Sequence, residues 1–554
     1  MEKVWIKEYD KGIPAEIDLS QYSSIPNIME QSYKKFANNP SFHQMGKSIT
    51  YAELDEMSKK FASYLQNELG LKKGDRVALM MPNILQYPVC LFGILRAGMI
   101  AVNVNPLYTA RELEHQLKDS GAQAIVIFEN SAATLEKILA NTPVKTVLVT
   151  SIGDMLGFPK ALLVNSVIKY VKKMVPAWNI PSAIRLKDAL ARGDASTFKP
   201  VDITLDDMAF LQYTGGTTGV SKGAVLTHRN IVANVLQARS WISNLINEGQ
   251  EIMITPLPLY HIFSLTANCL VFSSIGAVNV LITNPRDIPG FVKELAKWKF
   301  SAITGVNTLF NALINNPEFA NLDFSKLKVA LGGGMAVQGP VARKWKEITG
   351  APLIEAYGLT ETSPAACMNP MSLKEYNGFI GLPIPSTLVA IRDDEGNDLP
   401  LGEENVGEIC IKGPQVTQGY FNRPEETKKT FFDDGFFRTG DMGFMNEKGY
   451  VKLVDRKKDM INVSGFNVYP NEIEDVVSGH PKVMECAAVG VVDKKSGEVV
   501  KLFVVKKDPS LTVDELKQYC KENLTGYKIP KMFEFREELP KSNVGKILRK
   551  DLRE

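Results

Sequence analysis

The chain has 554 residues, 45% hydrophobic and 23% charged, which supports about three or four structural units with a large core and excludes wholesale disorder. Its 64 basic and 62 acidic residues leave a net charge of +2, which argues against a protein held on nucleic acid by bulk electrostatics. Six scattered cysteines without a Cys-x-x-Cys pair and five histidines without a His-Glu-x-x-His arrangement exclude a disulfide framework, a zinc site and metalloprotease chemistry.

The N-terminal MEKVWIKEYDKG is mixed in charge and lacks the apolar core of a secretory signal. Two greasy stretches follow, at 77–104 and 269–282. The first is broken by Pro82, Asn83, Pro88 and Arg96, and the second is too short to span a bilayer. The expectation is a soluble chain in the cytoplasm with reduced thiols.

Runs at 76–81, 124–128 and 146–150 are rich in apolar and β-branched residues and predict strands, with helices at 87–96 and 110–118. The alternation continues with strands at 252–256, 278–281 and 302–305 and helices at 287–297 and 340–349. Strands alternating with helices predict an α/β fold of parallel, doubly wound sheets covered on both faces. From 380 to 457 short strands punctuated by Gly and Asp (389–393, 407–412, 450–454) predict a β-barrel-like subdomain. After a charged run at 456–459 a separate, small α+β pattern begins, with helices at 470–477 and 513–522 and strands at 487–492 and 502–506. The main boundary is placed between Asp455 and Arg456, giving domains 1–455 and 456–554.

The segment from Lys160 to Val175 stands apart. Leu163, Val164, Val167, Ile168, Val171, Met174 and Val175 share one helical face, Lys169, Lys172 and Lys173 the other, and no acidic residue occurs from Lys160 to Ile184. Such a helix either packs on its own domain or lies in a membrane interface as a peripheral contact.

The densest chemistry is at 213–228, YTGGTTGVSKGAVLTH, with four glycines, four threonines, a serine and a lysine. Glycines let backbone amides approach one anion, and hydroxyls with an ammonium add donors, which is the chemistry of a phosphate cradle. It is not the Walker loop, because Ser221 precedes Lys222 and Gly223 follows.

Four more motifs follow in order: YGLTET at 357–362, RTGD at 438–441, DRKKDMINVSGFNVYPNEIE at 455–474 and LPKSNVGKILR at 539–549. With the glycine-rich loop they resemble the adenylate-forming superfamily of acyl-CoA synthetases, luciferases and peptide-synthetase adenylation domains. YHIF at 260–263, SGFNVYPNEIE at 464–474 and the block 434–459 look most like bacterial long-chain fatty-acid–CoA ligases.

That resemblance implies an ATP- and Mg²⁺-dependent ligase that joins a fatty acid to coenzyme A through an acyl-adenylate, releasing AMP and pyrophosphate. It implies ATP binding along Tyr213, Thr214, Gly215, Gly216, Thr217, Thr218, Gly219, Val220, Ser221, Lys222, Gly223 and Ala224. Glu361 would hold Mg²⁺ with Thr214 close by, and Thr360 would contact the α-phosphate. Tyr357 would stack on adenine above Gly333 and Gly334, and Asp441 and Arg456 would take the ribose. Lys546 is the main catalytic candidate, a cation brought to the reacting carboxylate when a mobile C-terminal domain closes. Asp455 would be the hinge, and Gly465 and Phe466 would face coenzyme A in a second half-reaction. His261 would stand beside the acyl carboxylate, and residues 306–310 and 335–337 would line the acyl channel.

A medium-chain or aryl ligase, another adenylate-forming enzyme, a luciferase-type oxygenase and a catalytically dead scaffold remain alternatives. Intact Glu361, Asp441 and Lys546 speak against the last. Chain-length preference and oligomeric state stay open, and the inner face of the cytoplasmic membrane is a second address.

Overall fold

The computed structural model describes residues 2–214, 221–493 and 496–553, and among these the strands form four sheets. The first runs Ile184–Arg185, Thr146–Thr150, Ala124–Phe128, Arg76–Met80, Ile100–Asn103, Met208–Thr214, Lys222–Thr227. Its neighbours are parallel until the last strand, which returns antiparallel with Thr214 opposite Lys222. The second sheet runs Leu382–Pro383, Ala365–Met368, Leu353–Gly358, Val329–Gly332, Ala302–Gly305, Ile252–Thr255, Val278–Leu281, Pro40–Gln44, Lys47–Thr50, with a parallel centre and antiparallel edges. Strands covered on both faces read as continuous apolar runs, and Val329–Gly332 and Ala302–Gly305 are buried throughout.

The 77–104 stretch proves to be strand, helix and strand. The middle piece, Gln86–Arg96, is buried at every residue. Arg96 is tolerated inside because its guanidinium reaches Asp55 at 2.9 Å and donates to Ser58 Oγ at 2.9 Å. No helix among the described residues is long and apolar enough to cross a membrane.

Where the sequence predicts a barrel-like subdomain, Leu388–Arg392, Gly407–Lys412, Phe437–Met445 and Val451–Arg456 form an open antiparallel meander. Asp455 and Arg456 are the last residues of its edge strand. The C-terminal sheet orders Phe466–Val468, Ile461–Val463, Gly497–Lys506 and Val483–Asp493, with Met532–Arg536 added in parallel to Gly497–Lys506. Helices Pro470–Ser478 and Val513–Asn523 bury Ile473, Val477, Leu516 and Cys520 in its core.

The C-terminal part is tied to the rest by directed hydrogen bonds. Gly339 N donates to Asp475 Oδ1 at 2.9 Å, Asn311 Nδ2 to the Met484 carbonyl at 2.7 Å, and Thr308 Oγ1 to the Gly545 carbonyl at 2.8 Å.

The segment from Lys160 onward is an α-helix, Lys160–Ser166, continued by a π-helical turn, Val167–Val171, and buries no residue. Leu162, Leu163, Tyr170, Val171 and Met174 are all more than half exposed, as is Phe158 just before them. Lys169 turns inward to Glu129 at 3.1 Å, while Lys172 and Lys173 face solvent.

Candidate active site

The carboxyl ends of the second sheet's parallel strands, where ligands of α/β folds bind, form the floor of the site. Here the Val329–Gly332 strand runs into Gly333 and Gly334. A Cβ on Gly333 would come 2.9 Å from the Ala356 carbonyl oxygen. Gly334 has a φ of +77°, and a Cβ there would meet Lys546 Cε at 3.2 Å. Both positions therefore demand glycine, one for space and one for conformation as well.

Tyr357, on the Leu353–Gly358 strand, is buried and donates its hydroxyl to Asp441 Oδ2 at 2.6 Å. Asp441 is buried on the Phe437–Met445 strand, and Arg456 Nε lies 3.4 Å from its Oδ1. Burial raises the Asp441 pKa, while the Arg456 charge and the Tyr357 hydroxyl pull it down. Three motifs separated by up to about a hundred positions thus converge on one carboxylate.

Glu361 sits in the short turn Thr360–Thr362, buried, with Oε1 accepting the Tyr420 hydroxyl at 2.7 Å. Burial also raises its pKa. Thr214 ends the adjoining strand of the glycine-rich hairpin. Gly215, Gly216, Thr217, Thr218, Gly219 and Val220 lie outside the described residues. The hairpin stems are well anchored: Tyr213 donates to Asp119 Oδ2 at 2.7 Å, and His115 Nε2 lies 2.9 Å from the Ser221 carbonyl oxygen. Gly223 leaves room for the Tyr213 ring, which a Cβ would meet at 3.1 Å, and Ala224 is fully buried. Lys222 is ion-paired with Glu426 and stands 5.4 Å from the Tyr420 ring centroid.

Lys546 comes from the far end of the chain on a tight turn. Ser542 N donates to the Lys546 carbonyl at 2.7 Å, Lys546 N donates to Ser542 Oγ at 3.1 Å, and Gly545 turns with a φ of +83°. Desolvation, then the Arg456 charge, pushes the Lys546 amine down to about 8, against the pull of Asp441 and Glu361. His261 lines the same cavity, and burial, then Lys546, pushes its imidazole down to about 3, so the ring is neutral. Its Nδ1 accepts from Phe263 N at 3.3 Å, which assigns the ring proton to Nε2.

Of these groups Gly333, Gly334, Tyr357, Thr360, His261 and Lys546 line a cavity with about 860 Å³ of atom-free space, counting its open mouth. Its inner wall is apolar: Ala238 and Ile242 from helix His228–Ile242, Ala267 and Val271 from the π-helical Ser264–Phe272, and Leu331 and Met368 from the sheet. None of the residues 306–310 and 335–337, expected to line an acyl channel, lies on this wall. Val306 borders a small adjoining pocket, and Phe310 packs on Trp345 with ring centroids 4.8 Å apart. The apolar wall itself falls outside the quoted motifs and is ordinary helix and strand composition, so no sequence signal marks it.

Other expected residues lie away from the cavity. Asp455 is 1% exposed and accepts from Arg549 Nη1 at 3.0 Å and Asn471 N at 2.9 Å. Gly465, with a φ of +87° and open space at its Cβ position, and Phe466, stacked on Tyr527 at 4.7 Å, are exposed on the C-terminal sheet. Tyr420 and Arg549 are candidates that the sequence reading did not single out, although Arg549 lies in the quoted 539–549 motif.

No cluster of three or more His, Cys, Asp or Glu among the described residues could cage a metal. One buried carboxylate beside a hydroxyl suits Mg²⁺, which is held through one or two carboxylates with substrate phosphates and water completing its shell.

Residues 29–421 match the AMP-binding enzyme family and residues 472–546 match the AMP-binding enzyme C-terminal domain. The chain is 57% identical over 554 residues to a long-chain-fatty-acid–CoA ligase of Yersinia pestis, covering 100% of this chain and 98% of that protein. It is 54% identical to a long-chain-fatty-acid–CoA ligase of Haemophilus influenzae, with the same coverage. Among solved structures, ATP-bound MatB from Rhodopseudomonas palustris superposes with a TM-score of 0.82 at 28% identity, covering 95% of this chain and 98% of that one.

Proposed function

The chain belongs to the AMP-binding enzyme family, and from that premise we infer that it is an ATP-dependent long-chain fatty acid–CoA ligase working through an acyl-adenylate. The observation that carries this reading is Lys546, delivered by the C-terminal domain to the mouth of an apolar cavity beside Gly334, His261 and Tyr357.

Adenylation brings a carboxylate onto the α-phosphorus of ATP, so two anions must approach. The barrier is mainly electrostatic and positional. Tyr357, Gly333 and Gly334 form the adenine wall, and Asp441 with Arg456 takes the ribose. The glycine-rich loop and Lys222 hold the β- and γ-phosphates, with Thr360 on the α-phosphate. The acid lies with its chain along the Ala238–Val271 wall and its carboxylate between His261 Nε2 and Lys546. Neutral His261 donates a hydrogen bond without adding charge, and Lys546 supplies the cation that the approaching anions need. Mg²⁺ held by Glu361 and Thr214 would offset charge on the triphosphate oxygens. Proton movement is not demanded of any side chain in this step.

In the second half-reaction the thiol of coenzyme A attacks the acyl carbon and AMP leaves. The domain after Asp455 turns so that Gly465 and Phe466, now exposed, face the cavity in place of Lys546. A glycine with open space at its Cβ position suits the wall of a narrow thiol channel.

The exposed apolar residues Phe158, Leu162, Leu163, Tyr170, Val171 and Met174 with Lys172 and Lys173 support a peripheral contact with an anionic membrane surface. The test of the whole reading is pyrophosphate release with acids from C6 to C18. Release with long-chain acids only in the presence of ATP is expected, and release with aromatic acids alone overturns the acyl assignment.

A further inference from the structure

Tyr420 lies outside the five motifs quoted above, yet its hydroxyl donates to Glu361 Oε1 at 2.7 Å. Its backbone extends the glycine-rich hairpin: Tyr420 bridges Ala224, Val225 N donates to the Gly419 carbonyl at 2.9 Å, and Phe421 N donates to the Gly223 carbonyl at 2.8 Å. Three residues upstream, Thr417 N donates to the Glu361 carbonyl at 2.7 Å. The same stretch therefore grips Glu361 by both backbone and side chain. Arg423, three residues downstream, donates to Asp119 Oδ1 at 2.6 Å, and Asp119 in turn accepts from Tyr213 on the opposite stem. Finally, Lys222 stands 5.4 Å from the Tyr420 ring centroid and is paired with Glu426 from the following helix, Pro424–Thr430.

A buried carboxylate with free side-chain torsions can present either oxygen in many directions. One charge-assisted hydrogen bond from a residue whose backbone is bridged to the hairpin removes that freedom. A lysine given an alternative anion near its place of work stays in reach without being fixed by solvent or by distant charges.

We propose that Tyr420 is the positioning residue that sets the Glu361 carboxylate for its divalent cation, and that Glu426 holds Lys222 beside the phosphate path until the triphosphate displaces it. This rests on the reading of Glu361 as the Mg²⁺ ligand. The test uses the full-length Tyr420→Phe enzyme, which keeps the ring and its packing but loses the donor. The Mg²⁺ concentration giving half-maximal ATP binding by calorimetry, and half-maximal ATP–pyrophosphate exchange, should both rise about tenfold. Thioester formation from supplied acyl-adenylate should not change. Unmoved Mg²⁺ midpoints overturn the proposal, as does a loss of ATP binding that is equal at limiting and saturating Mg²⁺.

Glu361→Gln separates the two levels of the argument. Should this variant keep the normal Mg²⁺ midpoint, the Glu361 reading itself falls. Should it lose Mg²⁺ dependence while Tyr420→Phe does not, Tyr420 alone is refuted. Glu426→Gln should tighten ATP binding by up to about fivefold, the worth of one partly exposed ion pair. Weaker or unchanged binding refutes the role given to Glu426.

Discussion

The two ends of the cavity are built differently. The polar end is lined by Gly334, Tyr357, Thr360 and Lys546, with Asp441 bonded to the Tyr357 hydroxyl and Glu361 next to Thr360 in the chain, and it carries close hydrogen bonds and shifted titration. The apolar end is lined by Ala238, Ile242, Ala267, Val271, Leu331 and Met368, drawn from two helical segments and two strands. The contrast follows from the chemistry each end must do. Charge stabilisation needs specific atoms in specific directions, whereas an alkyl chain needs only shape and exclusion of water.

If that division is right, substitutions at the two ends should affect separate kinetic quantities. The largest effect is expected from Lys546→Ala, with ATP–pyrophosphate exchange falling about 1,000-fold while thioester formation from supplied acyl-adenylate survives. Equal loss of both half-reactions would remove Lys546 from its role. Asp441→Asn should raise KM for ATP roughly ten- to a hundredfold at every acyl chain length, because a charged acceptor for two hydroxyls is worth more than a neutral one. A loss that varied with chain length would blur the two ends.

At the other end, Ala267→Phe should cut kcat/KM for C16 and C18 acids about tenfold while C8 acids and ATP are little affected. Uniform loss would place Ala267 outside the acyl path. The pH profile probes the polar end alone. With the Lys546 amine at about 8, the working cation is present below that pH and is lost as pH rises through it. kcat/KM for adenylation should therefore fall above pH 8, and Lys546→Arg should carry its residual activity to higher pH. An unchanged alkaline limb in that variant would assign the limb to another group. Smallest of all, Lys172→Gln should weaken partition to anionic vesicles about fivefold, at about 1 kcal/mol for the one charge removed, without changing turnover in detergent. Equal partition of both forms would dismiss the membrane contact.

Much of the fold was legible because its strands are continuous apolar runs between helices of clear periodicity, as at Ala124–Phe128 and Ala110–Ser120. Pro40–Gln44 was not, since PSFHQ has no strand pattern and becomes one by pairing with Val278–Leu281, more than two hundred residues away. The barrel-like expectation became an open meander for a related reason, because closure depends on which edges meet and local alternation is silent on that. Tyr420 lies outside the quoted motifs, and its contact with Glu361 appears only in the folded chain, where residues 59 positions apart meet.

The sequence by itself determined that a phosphate cradle other than a Walker loop is present, and which acidic and cationic motif residues follow in what order; through the resemblance those motifs carry, it implied that an acid is activated by ATP. Those residue types are fixed by reaction demands that local sequence can display. Tertiary structure decided where the apolar wall lies, which hydroxyl reaches Glu361, and that Lys546 is enclosed with its pKa lowered, since each depends on burial and on contacts between distant segments.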